Sequence, residues 1–315
     1  MKTAEKLNQI IQEEYKNMNG MLVVQKGDYI FENYYNGHGP NDAFHIASVT
    51  KTIISALIGI CIDKGYIKSV DQKVIEFFPE YKLKAPEITV RHLLTMTAPY
   101  PFTDWQEPLE ELCTQPDWVQ YTLNRIGNGG EIGTFKYSSA GAHVLSAIIT
   151  SVTGKIAREF ANEYLFQPLG MREIPKYNMK AFGFDDLFGK DVKGWVHDPN
   201  GISTGGWGLT LTARDMVKFG YLYLHQGIYD GKQILSKSWI KESTEMNQNQ
   251  YGYLWWLREE DGIFSYCAMG DGGNMICCVP ERELVVVITA EVIPNAGDRW
   301  ELIVKYILPC IQSNQ

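Results

Sequence analysis

From Thr52 to Ile62 the chain reads Thr-Ile-Ile-Ser-Ala-Leu-Ile-Gly-Ile-Cys-Ile, a run without a single charge. At helical spacing such a run leaves no polar stripe, so it predicts a helix buried on all sides. It is too short and too internal to span a membrane, and the fold has to close around it. Ser48 and Lys51 stand at its entrance, three residues apart. If the helix begins near Ser48, hydroxyl and amine share one face a turn apart, and the amine is carried into a dry interior.

A lysine amine takes a serine proton only when neutral, whereas an exposed lysine is charged at pH 7. Burial and the positive end of a helix dipole both favour the neutral form. Ser48 and Lys51 are therefore candidate nucleophile and candidate base. The spacing alone is a loose pattern, and the chain supplies its own control in Ser238-Trp239-Ile240-Lys241. There the neighbours Lys237, Glu242 and Ser243 predict a solvated amphipathic helix, so the match is structural.

With 315 residues the chain can hold one large domain or two lobes around a sizeable core. Its apolar and charged fractions, 45% and 21%, are those of a globular protein. The net charge of −8 offers no basic patch for nucleic acid or an acidic membrane surface. Six cysteines, Cys61, Cys113, Cys267, Cys277, Cys278 and Cys310, show no Cys-x-x-Cys spacing and read as reduced. Cys277 and Cys278 adjoin in an expected strand, where alternation sends them to opposite faces. The six histidines lack any paired metal-ligand spacing, so neither metal nor other cofactor is expected. Met1 to Leu7 mixes charges without the apolar core of a signal peptide, which predicts a cytoplasmic chain.

Periodicity predicts a helix over Ala4–Met18 stopped by Asn19-Gly20, then a hairpin of Met21–Gln25 and Tyr29–Tyr34 about Lys26-Gly27-Asp28. Helices follow at Trp118–Asn124, Ala140–Val152 and Ile156–Phe166, and one opens at Thr212 with a capping-box-like start. Beyond Tyr251 the pattern turns to strands: Tyr251–Leu257, Ile263–Ala268, Asn274–Val279 and Leu284–Ala290. A last helix is expected over Gly297–Ile311. The fold class is thus α+β, an antiparallel sheet flanked by amino- and carboxy-terminal helices with an all-helical lobe inserted. Read as a single domain over 1–315, its α/β lobe takes about 1–44 and 245–315, and its helical lobe about 45–244.

Ser48-Val49-Thr50-Lys51, Tyr137-Ser138-Ser139 and Ala268-Met269-Gly270-Asp271-Gly272-Gly273, in that order, resemble the three motifs of serine β-lactamases and penicillin-binding proteins. Tyr in the second motif is similar to the class C branch and its D,D-peptidase, esterase and amide-hydrolase relatives. Ile88–Thr97, Tyr164–Met171 and Gly205–Gly220 resemble further stretches of the same family, so the likeness covers most of the chain. It implies Ser48 as nucleophile, Lys51 as proton partner and Tyr137 as a phenol sharing the acid and base work. It also implies an oxyanion hole from the backbone N–H groups of Ser48 and Asp271, and a substrate lining of Ser139, Ala268, Met269 and Gly270.

Two positions depart from the family. Ser139 stands where Asn is usual, and Ala268 where Lys or His is usual. Both departures remove groups that orient a β-lactam or peptide carboxylate while leaving nucleophile and base. The expected function is an acyl-enzyme hydrolase of a small amide or ester. Its alternatives are a D,D-carboxypeptidase or class C β-lactamase and, from another class, a penicillin-binding sensor without turnover. The partner is a small molecule, and no oligomeric state follows from the sequence.

Overall fold

The computed structural model describes residues 2–103, 105–293 and 296–311. One six-stranded sheet organises it, with strands β1 (Met18–Gln25), β2 (Asp28–Tyr34), β7 (Trp256–Glu260), β8 (Ile263–Gly270), β9 (Asn274–Val279) and β10 (Leu284–Ala290) in the order β2-β1-β10-β9-β8-β7. The other strands are short pairs: β3 (Ala43–His45) with β4 (Thr210–Thr212), and β5 (Ile228–Tyr229) with β6 (Lys232–Gln233). Every neighbouring pair in the large sheet is antiparallel. Its members come from the two ends of the chain, as expected for the α+β class.

Alternation along the strands builds two cores. Met21, Val23, Met275, Cys277, Val286 and Ile288 point to the outer face, where Leu7, Ile10 and Ile11 of the helix Lys2–Glu14 meet Trp300, Leu302 and Ile303. Leu22, Val24, Ile276, Cys278, Val285 and Val287 point inward, onto the larger core. Cys277 and Cys278 lie on opposite faces as the period of two requires, and all six cysteines are unpaired. Two buried helices fill the inner side, Thr50–Asp63 and Ala213–Leu224, and the first packs on Ser139–Thr153. Every residue from Thr50 to Cys61 is buried, Lys51 included.

Three boundaries differ from the sequence reading. The first helix ends at Glu14, and Asn19-Gly20 lies inside β1, at a register shift. Ladder bonds to β10 outweigh the turn preference of Asn-Gly. Tyr251–Trp255 precedes its strand, which starts at Trp256, because Gly252 bonds the Trp255 carbonyl and turns the chain. The last helix is α-helical only over Arg299–Leu302 and then widens to a π turn over Ile303–Ile307. Ser238 and Lys241 are exposed on the short helix Lys237–Ser243, while Trp239 and Ile240 are buried, the amphipathic pattern predicted for that copy. No single helix among the described residues is long and apolar enough to cross a membrane.

The inner core tolerates little added volume where Ala213–Leu224 crosses the sheet. A methyl on Gly220 would meet Val285 Cγ1 at 2.8 Å and Ile276 Cγ2 at 3.0 Å. Gly220→Ala gains roughly 1 kcal/mol of helix propensity, yet overpacking costs about 1–3 kcal/mol. The expected net effect is a lower urea midpoint. An unchanged or higher midpoint would show that the helix can lift from the sheet without loss.

Candidate active site

Ser48 lies in a single 3-10 turn, Ala47–Val49, that runs directly into the buried helix. The turn is strained: Ala47 has φ +48°, a left-handed conformation that costs a residue with a Cβ about 1–3 kcal/mol. Two hydrogen bonds hold it there. Its N–H donates to His45 Nδ1 at 3.1 Å, and its carbonyl accepts from Thr50 Oγ1 at 2.8 Å. The result leaves Ser48 partly exposed between buried neighbours.

One turn on, Lys51 is 1% exposed and its amine makes three contacts. Its Nζ lies 2.9 Å from Ser48 Oγ, 3.1 Å from Ser139 Oγ and 2.8 Å from the Gly206 carbonyl. No ion pair among the described residues involves Lys51, so its partners are all uncharged oxygens. Tyr137 meets the amine with its ring, the centroid 4.7 Å from Nζ. Among the described residues no hydrogen bond joins the Tyr137 hydroxyl to Lys51 or Ser48, so the phenol touches the cluster by its face.

Each partner is placed by its own local structure. Ser138 caps the helix Ser139–Thr153, its Oγ accepting from Gly141 N. Glu107 reaches over from the preceding loop and accepts from Ser138 Oγ at 2.6 Å, Ser139 N at 2.6 Å and Ala140 N at 3.0 Å. An anion on the free N–H groups of a helix is a favourable placement. Gly206 reaches Lys51 because it has no side chain, since a Cβ there would meet Ser139 Cβ at 2.8 Å. Its segment is tied to the Ser48 turn by Ile46 N donating to Leu209 O at 3.0 Å.

The third motif ends β8. Gly270 pairs with Asn274 and passes so near the Ser48 turn that a Cβ would lie 2.5 Å from the Ile46 carbonyl and 3.0 Å from Ser48 N. The following turn, Asp271–Gly273, is held from three sides. Asn274 Nδ2 donates to Asp271 O at 2.8 Å, while Asn17 Nδ2 and Arg299 Nη2 donate to Gly272 O at 2.8 and 3.1 Å. Ala268 is buried in the inner core, beside the Ser48 turn's side of the sheet. Met269 alternates to the outer face, where its Sδ lies 3.8 Å from Arg258. The structure thus gathers Ser48, Lys51, Ser139, the Tyr137 ring and the Gly270 backbone, and turns the Met269 side chain away.

The mouth is aromatic. Trp105 stacks on Tyr137 at 5.1 Å and on Trp256 at 5.9 Å, and is 67% exposed. Beside the third motif runs a groove of about 530 Å³ that Phe184, Gly270, Asp271 and Val292 help to line. Asp104, next to Trp105 in sequence, lies outside the described residues. Sequence reasoning missed Glu107, Gly206 and His45 as parts of this site. The Gly205-Gly206 pair was a usable signal for close backbone approach; Glu107 and His45 gave none, because their partners are brought to them by the fold.

Burial pushes the His45 imidazole down to about 4, with backbone hydrogen bonds opposing in part. The ring is therefore neutral at pH 7 and keeps Nδ1 as an acceptor for Ala47. A depressed folded pKa in a base stabilises the fold fully above the unfolded value near 6.5, and that contribution fades as pH falls toward 4. At 1.36 kcal/mol per unit the loss is roughly 3 kcal/mol. Urea titrations at pH 7 and pH 4.5 should show His45→Asn losing less stability between the two than the parent; equal losses would remove His45 from the account.

Comparison with known proteins matches the chain to one family. The sequence model described as Beta-lactamase matches residues 7–303. The 6-aminohexanoate-dimer hydrolase of Paenarthrobacter ureafaciens is 25% identical over 298 residues, covering 84% of this chain and 70% of the relative. Among solved structures, a penicillin binding protein from Bacillus halodurans superposes with a TM-score of 0.72 at 20% identity, over 95% of this chain and 98% of that one. A D-stereospecific amidohydrolase from a Streptomyces species gives 0.70 at 17% identity, over 97% and 99%.

Proposed function

The chain belongs to the beta-lactamase family, and from that premise we propose that it is a serine hydrolase that forms an acyl-enzyme at Ser48 on a small amide or ester. The observation that carries the reading is the buried Lys51 with its amine 2.9 Å from Ser48 Oγ and no counter-ion among the described residues. In its neutral form the amine takes the Ser48 proton as Oγ attacks the carbonyl carbon. The ring face of Tyr137 stabilises the ammonium that forms. The backbone N–H groups of Ser48 and Asp271 receive the oxyanion, a placement supported by the close passage of Gly270 along Ser48 N. Water then attacks the acyl carbon and frees Ser48.

The substrate class follows from the mouth. Ala268 puts a methyl where the family's cation would stand, so no fixed charge at that point draws a carboxylate. Exposed Trp105, stacked on Tyr137, favours a flat or apolar acyl group. The name of the D-stereospecific amidohydrolase supports an amide as the reacting bond, in keeping with this chemistry.

Incubation with a fluorophosphonate probe, a labelled penicillin and 4-nitrophenyl esters tests the reading. The parent protein should be labelled by the fluorophosphonate and turn over the esters, and Ser48→Ala should lose both. Labelling without any turnover would favour a penicillin-binding sensor; efficient turnover of penicillin would favour a β-lactamase. Lys51→Met is expected to lower kcat by about 10²–10⁴-fold, the range of a general base. Trp105→Ala should raise KM for aryl esters roughly 2- to 12-fold, the worth of one aromatic stack, and leave short alkyl esters nearly unchanged.

A further inference from the structure

We infer that Ser139 is a further catalytic residue, the hydroxyl that passes the proton from Lys51 to the leaving group. The inference rests on the hydrolase reading above and deepens it. Lys51 has three oxygen partners, and their chemistries differ. The Gly206 carbonyl accepts a hydrogen bond but has no proton to hand on. Ser48 Oγ becomes the ester oxygen once it has attacked. Ser139 Oγ alone accepts from the amine and also carries a proton of its own.

The proton balance closes through that hydroxyl. Ser48 Oγ–H gives its proton to neutral Lys51 as the Oγ–C bond forms, leaving an ammonium and a tetrahedral oxyanion. When the intermediate collapses, the bond from carbon to the leaving nitrogen or oxygen breaks. The leaving atom takes the Ser139 proton while Ser139 Oγ takes one from Lys51, which returns to neutral. In deacylation water gives a proton to Lys51 by the reverse relay, the new C–O bond forms, and Ser48 Oγ leaves with a proton from the amine. The sum is amide or ester plus water to acid plus amine or alcohol.

Geometry favours Ser139 over Tyr137 for this step. Ser139 Oγ is 3.1 Å from Nζ, whereas Tyr137 presents its ring to the amine. Ser139 is also fixed from behind, its N–H donating to Glu107 at 2.6 Å, so its side chain is directed by a pinned backbone. A hydroxyl at the family's Asn position is what the relay needs, because an amide cannot lend its proton in the same way.

The test uses the full chain and one acyl group, butyrate, on 4-nitrophenol, trifluoroethanol and ethanol. A good leaving group departs without a proton and a poor one needs it. Ser139→Ala is expected to cut kcat/KM for the ethyl ester by about 10²-fold or more and for the nitrophenyl ester only a few-fold, steepening the dependence on leaving group. Ser139→Thr, which keeps the hydroxyl, should restore the shallow dependence, and Tyr137→Phe, which keeps the ring face over the amine, should leave the dependence as shallow as in the parent. An equal loss across the series in Ser139→Ala, or steepening in Tyr137→Phe instead, would overturn the relay and reduce Ser139 to a positioning residue. Fluorophosphonate labelling of Ser48 in the parent and in Ser139→Ala separates the two levels, since its absence in the parent overturns the hydrolase reading and the relay together.

Discussion

A primary amine inside an apolar helix is the constraint on which this structure turns. Taking an amine out of water without partners costs several kcal/mol, and Lys51 lies in a stretch where every neighbour from Thr50 to Cys61 is buried. The cost is offset by oxygens from three separate segments: the Ser48 turn, the amino-terminus of the helix Ser139–Thr153 and the Gly205-Gly206 loop. None of these is near another in sequence. The fold around the sheet is the means by which they meet, and the outer helix that carries Arg299 also holds the turn after β8 through Gly272.

Strain at Ala47 belongs to the same account. A serine at the start of a buried helix would be buried with it if the chain entered along the helix axis. The left-handed turn at Ala47 swings the entry sideways, so Ser48 remains partly exposed while Lys51, one turn later, does not. His45 and Thr50 hold that turn, and Gly270 leaves room for it against β8. Exposure of one hydroxyl beside a hidden amine is thus achieved by backbone geometry within four residues.

Much of this was legible in the residues. The uncharged run after Lys51 announced a helix buried all round, alternation placed Cys277 and Cys278 on opposite faces, and strands at both chain ends gave the sheet. Local signals failed where long-range bonds outvoted them. Asn19-Gly20 reads as a helix stop but is recruited into β1, because pairing with β10 satisfies more backbone than a turn would. Residues 251–255 carry a strand-like composition, yet a tight turn about Gly252 uses their hydrogen bonds first. Glu107 and His45 were invisible for a different reason. A carboxylate that caps a helix thirty residues on, and an imidazole whose role is to accept from the second residue after it, have no periodicity to betray them.

The two departures at Ser139 and Ala268 can be read together as one change of polarity. At the third motif a cation is replaced by a methyl, and the cleft loses its fixed positive charge on the β8 side. At the second motif a side-chain amide is replaced by a hydroxyl, whose one oxygen both accepts from Lys51 and carries a proton to exchange. With a methyl at Ala268 in place of a cation, an ammonium formed at Lys51 meets less repulsion from that position, since like charges a few ångströms apart disfavour each other's charged form. The absent cation acts in two opposed ways, removing a charge that would help keep the amine neutral and removing repulsion against the ammonium that forms, while on the proposed relay the hydroxyl at Ser139 offers the proton a way out. On the proposed reading, the cleft exchanges fixed charge for a hydroxyl beside the amine and leaves recognition to the exposed ring of Trp105.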